Sequence, residues 1–145
     1  MFDITIEIER APRDVFAQLA RIEDAPRWYS AVKTVERRDS DPVRLGTRAR
    51  FTRQLGGAIV ENEVEVSEFD PNTAMTLSSV SGPTPFVYSY RLEPKGDGTL
   101  LRLQGQISGD GLSGPLILLK PLAETFFRRG MAENLSAFKR IVEAS

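Results

Sequence analysis

The chain has 145 residues, 41% of them hydrophobic and 27% charged, and its 19 basic and 20 acidic side chains leave a net charge of −1. That apolar share supplies a core and excludes a disordered chain, the length fits one domain spanning 1–145, and the charge balance disfavours nucleic acid as a partner. Cysteine and histidine are both absent, which excludes disulfides, thiol chemistry, a Ser-His-Asp triad and histidine-ligated zinc. Chemistry is left to carboxylates, Arg, Lys, Tyr, hydroxyls and apolar surface.

The opening Met1-Phe2-Asp3-Ile4 has no basic, then apolar, leader character. The longest apolar cluster, Leu116–Leu119, falls far short of the ~20 residues that span a bilayer. A cytoplasmic protein without stable membrane insertion is expected.

Phe2, Ile4, Ile6 and Ile8 alternate with Asp3, Thr5, Glu7 and Glu9, the period of a half-buried strand. Ala11-Pro12 ends it, and Val15, Phe16 and Leu19 follow at helical spacing, with Pro12 in the first turn. A second short helix covers Ile22 to about Ala25 and stops near Pro26. Residues 31–39 read as a polar, edge-like strand and 46–54 as a clearer one. Gly56-Gly57 permits the positive φ of a two-residue hairpin loop. Partner numbers then sum to 113, setting Arg50 opposite Glu63, Arg48 opposite Glu65 and Thr52 opposite Glu61 on a solvated face of matched charge. The other face collects Ala49, Phe51, Arg53, Val60, Asn62 and Val64.

Asp70-Pro71-Asn72 is a turn. Strands follow over 74–81, with Met75, Leu77 and Ser79 in one phase, over 85–93, with Phe86, Tyr88, Tyr90 and Leu92, and over 99–108, with Leu101, Leu103, Gly105 and Ile107. From Pro115 to Ala144 the period turns helical, and Leu119, Leu122, Phe126, Phe127, Met131, Leu135, Phe138 and Val142 form a stripe. Pro121 kinks this segment or marks the start of its long part. About 24 helical residues reach ~36 Å, enough to lie across the whole sheet. The fold class is α+β, a meandering antiparallel sheet of seven strands with two short helices after the first and a long helix at the end.

That order resembles the helix-grip fold of the START-like (SRPBCC) superfamily, closest to its polyketide cyclase/dehydrase-like branch. Ile8, Ala11-Pro12, Val15-Phe16, Pro26, Trp28-Tyr29, Gly46-Thr47, Glu68-Phe69-Asp70-Pro71, Leu92-Glu93-Pro94, Gly98-Thr99 and Asn134-Leu135 carry the likeness. The resemblance implies a curved sheet wrapped around the terminal helix, with an interior cavity for a hydrophobic ligand. Members carry lipids, sterols, hormones or quinones, cyclise polyketides, or bind proteins, so architecture follows and activity stays open. No cofactor or metal is implied.

Several residues admit two readings. Arg53 and Asn62 are the polar groups of an otherwise apolar pocket, or Arg53 sits near the hairpin tip and reaches solvent. Tyr88 and Tyr90, in phase with Phe86, line a cavity and orient a ligand carbonyl, or are amphipathic core aromatics; acting as proton donors with Arg53, they would be the catalytic set of an enzyme. Trp28-Tyr29 gates a cavity mouth, or Trp28 anchors the small helices. Small inward residues, Ser79, Ser81 and Gly105, indicate space between sheet and helix, closed by Leu119, Leu122 and Phe126. The segment 105–114 reads as a flap. Its Gly109-Asp110-Gly111-Leu112-Ser113-Gly114 run matches a dinucleotide fingerprint, but no parallel strand with an acidic residue follows. Seven basic residues in 33–53 face five acidic ones in 61–70 and read as cross-strand pairs.

The expected function is binding or transport of a small hydrophobic or aromatic molecule (lipid, quinone or polyketide-like). Its contacts would be Trp28, Phe51, Arg53, Asn62, Val64, Met75, Leu77, Ser79, Phe86, Tyr88, Tyr90, Leu103, Gly105, Leu119, Leu122 and Phe126. The alternatives are a polyketide cyclase/aromatase, for which the lack of histidine leaves a poor general base, and a protein-interaction module. The protein is expected as a monomer or homodimer.

Overall fold

A computed structural model of the chain describes residues 1–111, 117–118 and 121–145. Its elements are β1 (Phe2–Ile8), α1 (Pro12–Leu19), a 3-10 turn (Ile22–Arg27), β2 (Val32–Arg37), β3 (Arg48–Leu55), β4 (Ala58–Asp70), β5 (Ala74–Ser81), β6 (Phe86–Lys95), β7 (Gly98–Ile107) and α2 (Ala123–Glu143). The strands form one antiparallel sheet in the order β1-β7-β6-β5-β4-β3-β2. Each neighbour but one follows in sequence, so hairpins build the sheet and β1 closes onto β7.

The β3–β4 hairpin has the register that its charges require: Arg48 pairs with Glu65, Arg50 with Glu63 and Thr52 with Glu61. On the solvated face Arg38 bridges Glu63, Arg48 bridges Glu65, and Arg50 reaches Glu36 and Glu61. Three of the seven basic residues of the stretch are thus paired across the sheet, Arg37 and Arg44 pair with acids outside the hairpin, and the predicted register holds. β4 is thirteen residues long and shifts register against β5 at Glu63/Val64 and again at Val66/Glu68. An extra residue in one strand of a pair bends it and raises its twist, so these two irregularities curl the sheet toward α2.

Along α2, Met131, Leu135, Phe138 and Val142 are buried at helical spacing. Trp28 meets Phe138 edge-on, with ring centroids 5.1 Å apart, and thereby anchors the short-helix region to the terminal helix. Asn134, 5% exposed, accepts a hydrogen bond from the Ser30 backbone N–H at 3.2 Å and ties the same loop down.

Some boundaries depart from the sequence reading. The turn after α1 runs through Pro26 to Arg27, because its closing hydrogen bonds are donated by Trp28 and Tyr29 to Ala25 and do not need an N–H from proline. β6 continues to Lys95. α2 begins two residues after Pro121 and has 21 residues, about 31 Å. The expected flap lies partly outside the described residues.

Gly105 is not space. It pairs with Phe2 across β1 and β7, and a Cβ at Gly105 would run into the Phe2 ring; the missing side chain is replaced by a neighbour's aromatic. Gly105→Leu should cost about 2–3 kcal/mol in urea unfolding, the range of core overpacking. The same change in a Phe2→Ala background should cost at least ~1 kcal/mol less, a coupling of the size contacting residues show. Additive losses would refute the packing.

Candidate functional site

On a helix successive residues turn by about 100°, which places Phe127 within about 20° of Phe138 but rotates Phe126 by about 120° and Leu122 by about 160°. Phe127 accordingly packs on the core, while Phe126 and Leu122 are 54% and 62% exposed. They do not close the space beneath α2, as the sequence reading expects. They line an open cavity of about 750 Å³ between the first half of α2 and the facing ends of β2 and β3. Leu55, Phe127 and Met131 contribute further apolar wall, and Lys33, Gln54, Arg129, Glu133 and Asn134 the polar part. Leu119 lies outside the described residues. Among those described, no cluster of acidic side chains could hold a metal ion.

Tyr29 forms the inner wall of this cavity. Its hydroxyl donates to the Tyr88 hydroxyl at 3.3 Å, and Tyr88 stacks on Phe86 with centroids 4.9 Å apart. Behind the phenols lies Arg53, fully buried, its guanidinium carbon 5.2 Å from the centre of the Phe86 ring. The solvent-reaching alternative for Arg53 does not hold. No carboxylate among the described residues meets it. Its Nε and Nη2 donate to Asn62 Oδ1 at 3.0 and 2.7 Å, and Nη2 also donates to the Pro83 carbonyl at 3.1 Å and to the Thr84 hydroxyl. Nη1 has no hydrogen-bond partner among the described residues.

The turn that supplies these acceptors escaped the sequence reading. Its signal was the Gly82-Pro83-Thr84-Pro85 run of turn residues. Thr84 is buried with φ +46°, a backbone conformation that costs energy for a β-branched residue, and the turn holds it so that its carbonyl and hydroxyl face the guanidinium. At Gly82, also at positive φ, a Cβ would collide with the Glu61 carbonyl and the Asn62 amide.

This network occupies the room that the small side chains of Ser79 and Ser81 leave. Asn62 Nδ2 donates to Ser79 Oγ and to the Ser81 and Pro83 carbonyls. A void of about 10 Å³ lies between the sheet and the short-helix region, walled by Leu19, Ile22, Ala25, Trp28, Phe51, Met75 and Tyr90 among others, and a shallow surface cavity of about 360 Å³ lies where Ser79, Phe86 and Ile107 face Glu124 at the start of α2. Being apolar, the void lacks the partners a water would need. Val64 and Leu103 are ordinary core. The anticipated contacts therefore divide among a closely packed seam, the open cavity, and, for Ser79 and Phe86, the shallow surface cavity beside Glu124; Tyr29 joins the first two. Beyond Leu122 and Phe126, the cavity wall comprises residues outside the anticipated set, Leu55, Gly130, Met131 and Asn134 among them.

Burial pushes the Tyr29, Tyr88 and Tyr90 hydroxyls up, Tyr88 strongly, with Arg53 opposing the shift at Tyr29 and Tyr88. Burial likewise lowers the Arg53 guanidinium, opposed by Tyr29 and Tyr88. The phenols thus stay protonated as hydrogen-bond donors and are unsuited to act as bases. These are the chain's three tyrosines. With folded pKa values above the unfolded ~10, they favour folding below that pH; above it, only the unfolded chain ionises, removing about 1.4 kcal/mol per tyrosine per pH unit. Tyrosinate absorbance on alkaline titration should therefore rise together with loss of near-ultraviolet circular dichroism. A gradual rise near pH ~10 in a still-folded protein would contradict the burial.

The chain matches the family model described as polyketide cyclase/dehydrase and lipid transport over residues 2–143. Among solved structures it is similar to the Zhui aromatase/cyclase of a Streptomyces strain, with TM-score 0.80, 14% identity, and 92% of that chain and 98% of this one covered. A START superfamily protein of Mycobacterium smegmatis gives TM-score 0.74, 19% identity and coverage of 97% and 99%, and a protein of Thermus thermophilus gives 0.79, 20%, 96% and 98%. At such identities the likeness is one of fold. No curated protein sequence matches. With the helix-grip architecture and a family match along almost its whole length, the chain belongs to the polyketide cyclase/dehydrase and lipid transport family of the START-like superfamily.

Proposed function

We propose that the protein binds a small hydrophobic or aromatic molecule in the cavity between the first half of α2 and the ends of β2 and β3, with Tyr29 at its inner wall. The observation that carries this reading is Gly130. It sits inside a 21-residue helix, where glycine costs about 1 kcal/mol relative to alanine. It lines the cavity, and a Cβ built there meets nothing within 4 Å. Packing does not require the glycine, and the position faces open space on the cavity wall. A volume near 750 Å³ lies within the range of pockets for drug-sized ligands, and apolar burial at ~25 cal/mol per Å² would supply affinity before ordering costs.

Substitution separates the helix from the cavity. Gly130→Ala should raise stability by about 0.5–1 kcal/mol in urea unfolding and leave binding of the neutral fluorophore N-phenylnaphthylamine intact. Gly130→Phe should fill the space and abolish binding while the protein stays folded by circular dichroism. Undiminished binding to Gly130→Phe would reject this cavity as the site.

A second reading, a polyketide cyclase/aromatase, is favoured by one observation: Tyr29 belongs both to the cavity wall and to the cluster with Tyr88 and Arg53. A cation with a spare donor behind two protonated phenols suits polarising a carbonyl, and a pre-organised chain would gain from proximity. Added to a synthase that releases an octaketide, the protein should shift the product mixture, and Tyr29→Phe should reduce that shift. An unchanged mixture with wild-type protein would reject this reading and leave simple binding. The closely packed seam also suits a module that binds only proteins; the open cavity is what sets it second to ligand binding.

A further inference from the structure

We infer that the cavity selects an anionic amphiphile, an organic acid on a hydrophobic or aromatic body, over a neutral molecule of the same shape; the inference rests on the binding function just proposed. Two cations line the cavity from different elements, Lys33 on β2 and Arg129 on α2. Neither forms an ion pair among the described residues, whereas on the solvated face of the sheet Arg38, Arg48, Arg50, Arg91 and Arg102 all do. The single acidic side chain of the lining, Glu133, lies one turn beyond Arg129 and also has no ion-pair partner among the described residues. The cavity thus carries an excess of one positive charge above an apolar floor of Leu55, Phe127 and Met131.

Asn134 supplies the second observation. It lines the same cavity at 5% exposure. Its Oδ1 accepts from the Ser30 N–H, which fixes the amide orientation, so that Nδ2 points elsewhere as a donor. The partner of Nδ2 is the Met131 sulfur at 3.5 Å, a weak acceptor. A sulfur acceptor satisfies the amide only weakly, so a carboxylate or sulfonate oxygen entering the cavity that Asn134, Lys33 and Arg129 all line would be the stronger partner.

Two fluorophores sharing one ring skeleton test the charge alone: anilinonaphthalenesulfonate, an anion, and neutral N-phenylnaphthylamine. Wild-type protein should bind the sulfonate about fivefold more tightly at low salt, the scale of rim charge pairs, and the preference should shrink at about 1 M salt. Lys33→Gln combined with Arg129→Gln should erase the preference by weakening the sulfonate alone, and Glu133→Gln should widen it. Equal affinities in the wild type, a preference that survives the double substitution, or sulfonate binding that persists in Gly130→Phe would overturn the inference while leaving the cavity reading intact. Failure of wild-type protein to bind either probe would overturn both.

Discussion

A guanidinium buried without a carboxylate partner among the described residues organises the interior of this protein. Desolvating a charge costs several kcal/mol, and Arg53 meets that cost with neutral acceptors: the Asn62 side-chain oxygen and the Pro83 and Thr84 oxygens. To satisfy it, β4 must present Asn62 inward, the β5–β6 connection must fold over the strand ends, and Thr84 must adopt a left-handed backbone. Phe86 then covers the guanidinium face, a cation–π contact of the kind that gains strength away from water. The same arrangement fills the space around Asn62, Ser79 and the β5–β6 connection, so that the seam behind the phenols is closely packed.

Room remains instead where the helix leaves the sheet. The stripe that buries Met131, Leu135, Phe138 and Val142 follows one face of α2, while Leu122 and Phe126 emerge on another. Asn134 and Trp28 fix the helix against the loop that leads into β2, and the opening past them is framed by rigid elements on both sides. Tyr29 stands at the junction of packed seam and open cavity, joined to both through ring and hydroxyl. The hydrophobic wall, the two cations without ion pairs among the described residues and Asn134 all lie on the cavity side of that junction.

Much of the architecture was legible in the residue pattern, because strands with one wet face alternate and because opposite charges across the β3–β4 hairpin agree in a single register. The inward direction of Arg53 and Asn62 followed from that same alternation. Less was legible where a conclusion needed the third dimension. The stripe along α2 includes Phe126 and Phe127 side by side, and only the helix's true start and phase assign one to the core and the other to the cavity. Gly105 looked like space because its occupant, Phe2, comes from a strand about a hundred residues away. The acceptors for Arg53 come from a turn whose side-chain roles have no periodic signature. Tyr29 was legible only as one half of an aromatic pair, and its bond to Tyr88 crosses 59 positions.

The turn from Gly82 to Pro85 connects β5 and β6, yet it also packs against Glu61 and Asn62 of β4, bonds to Ser108 and Asp110 beyond β7, and supplies the oxygens that keep the arginine folded inside. The hollow of such a scaffold is therefore adjustable from its rim. A change in the length of this short connection, together with one change of side chain on β3, would remove the acceptors of Arg53 and reopen the seam they fill.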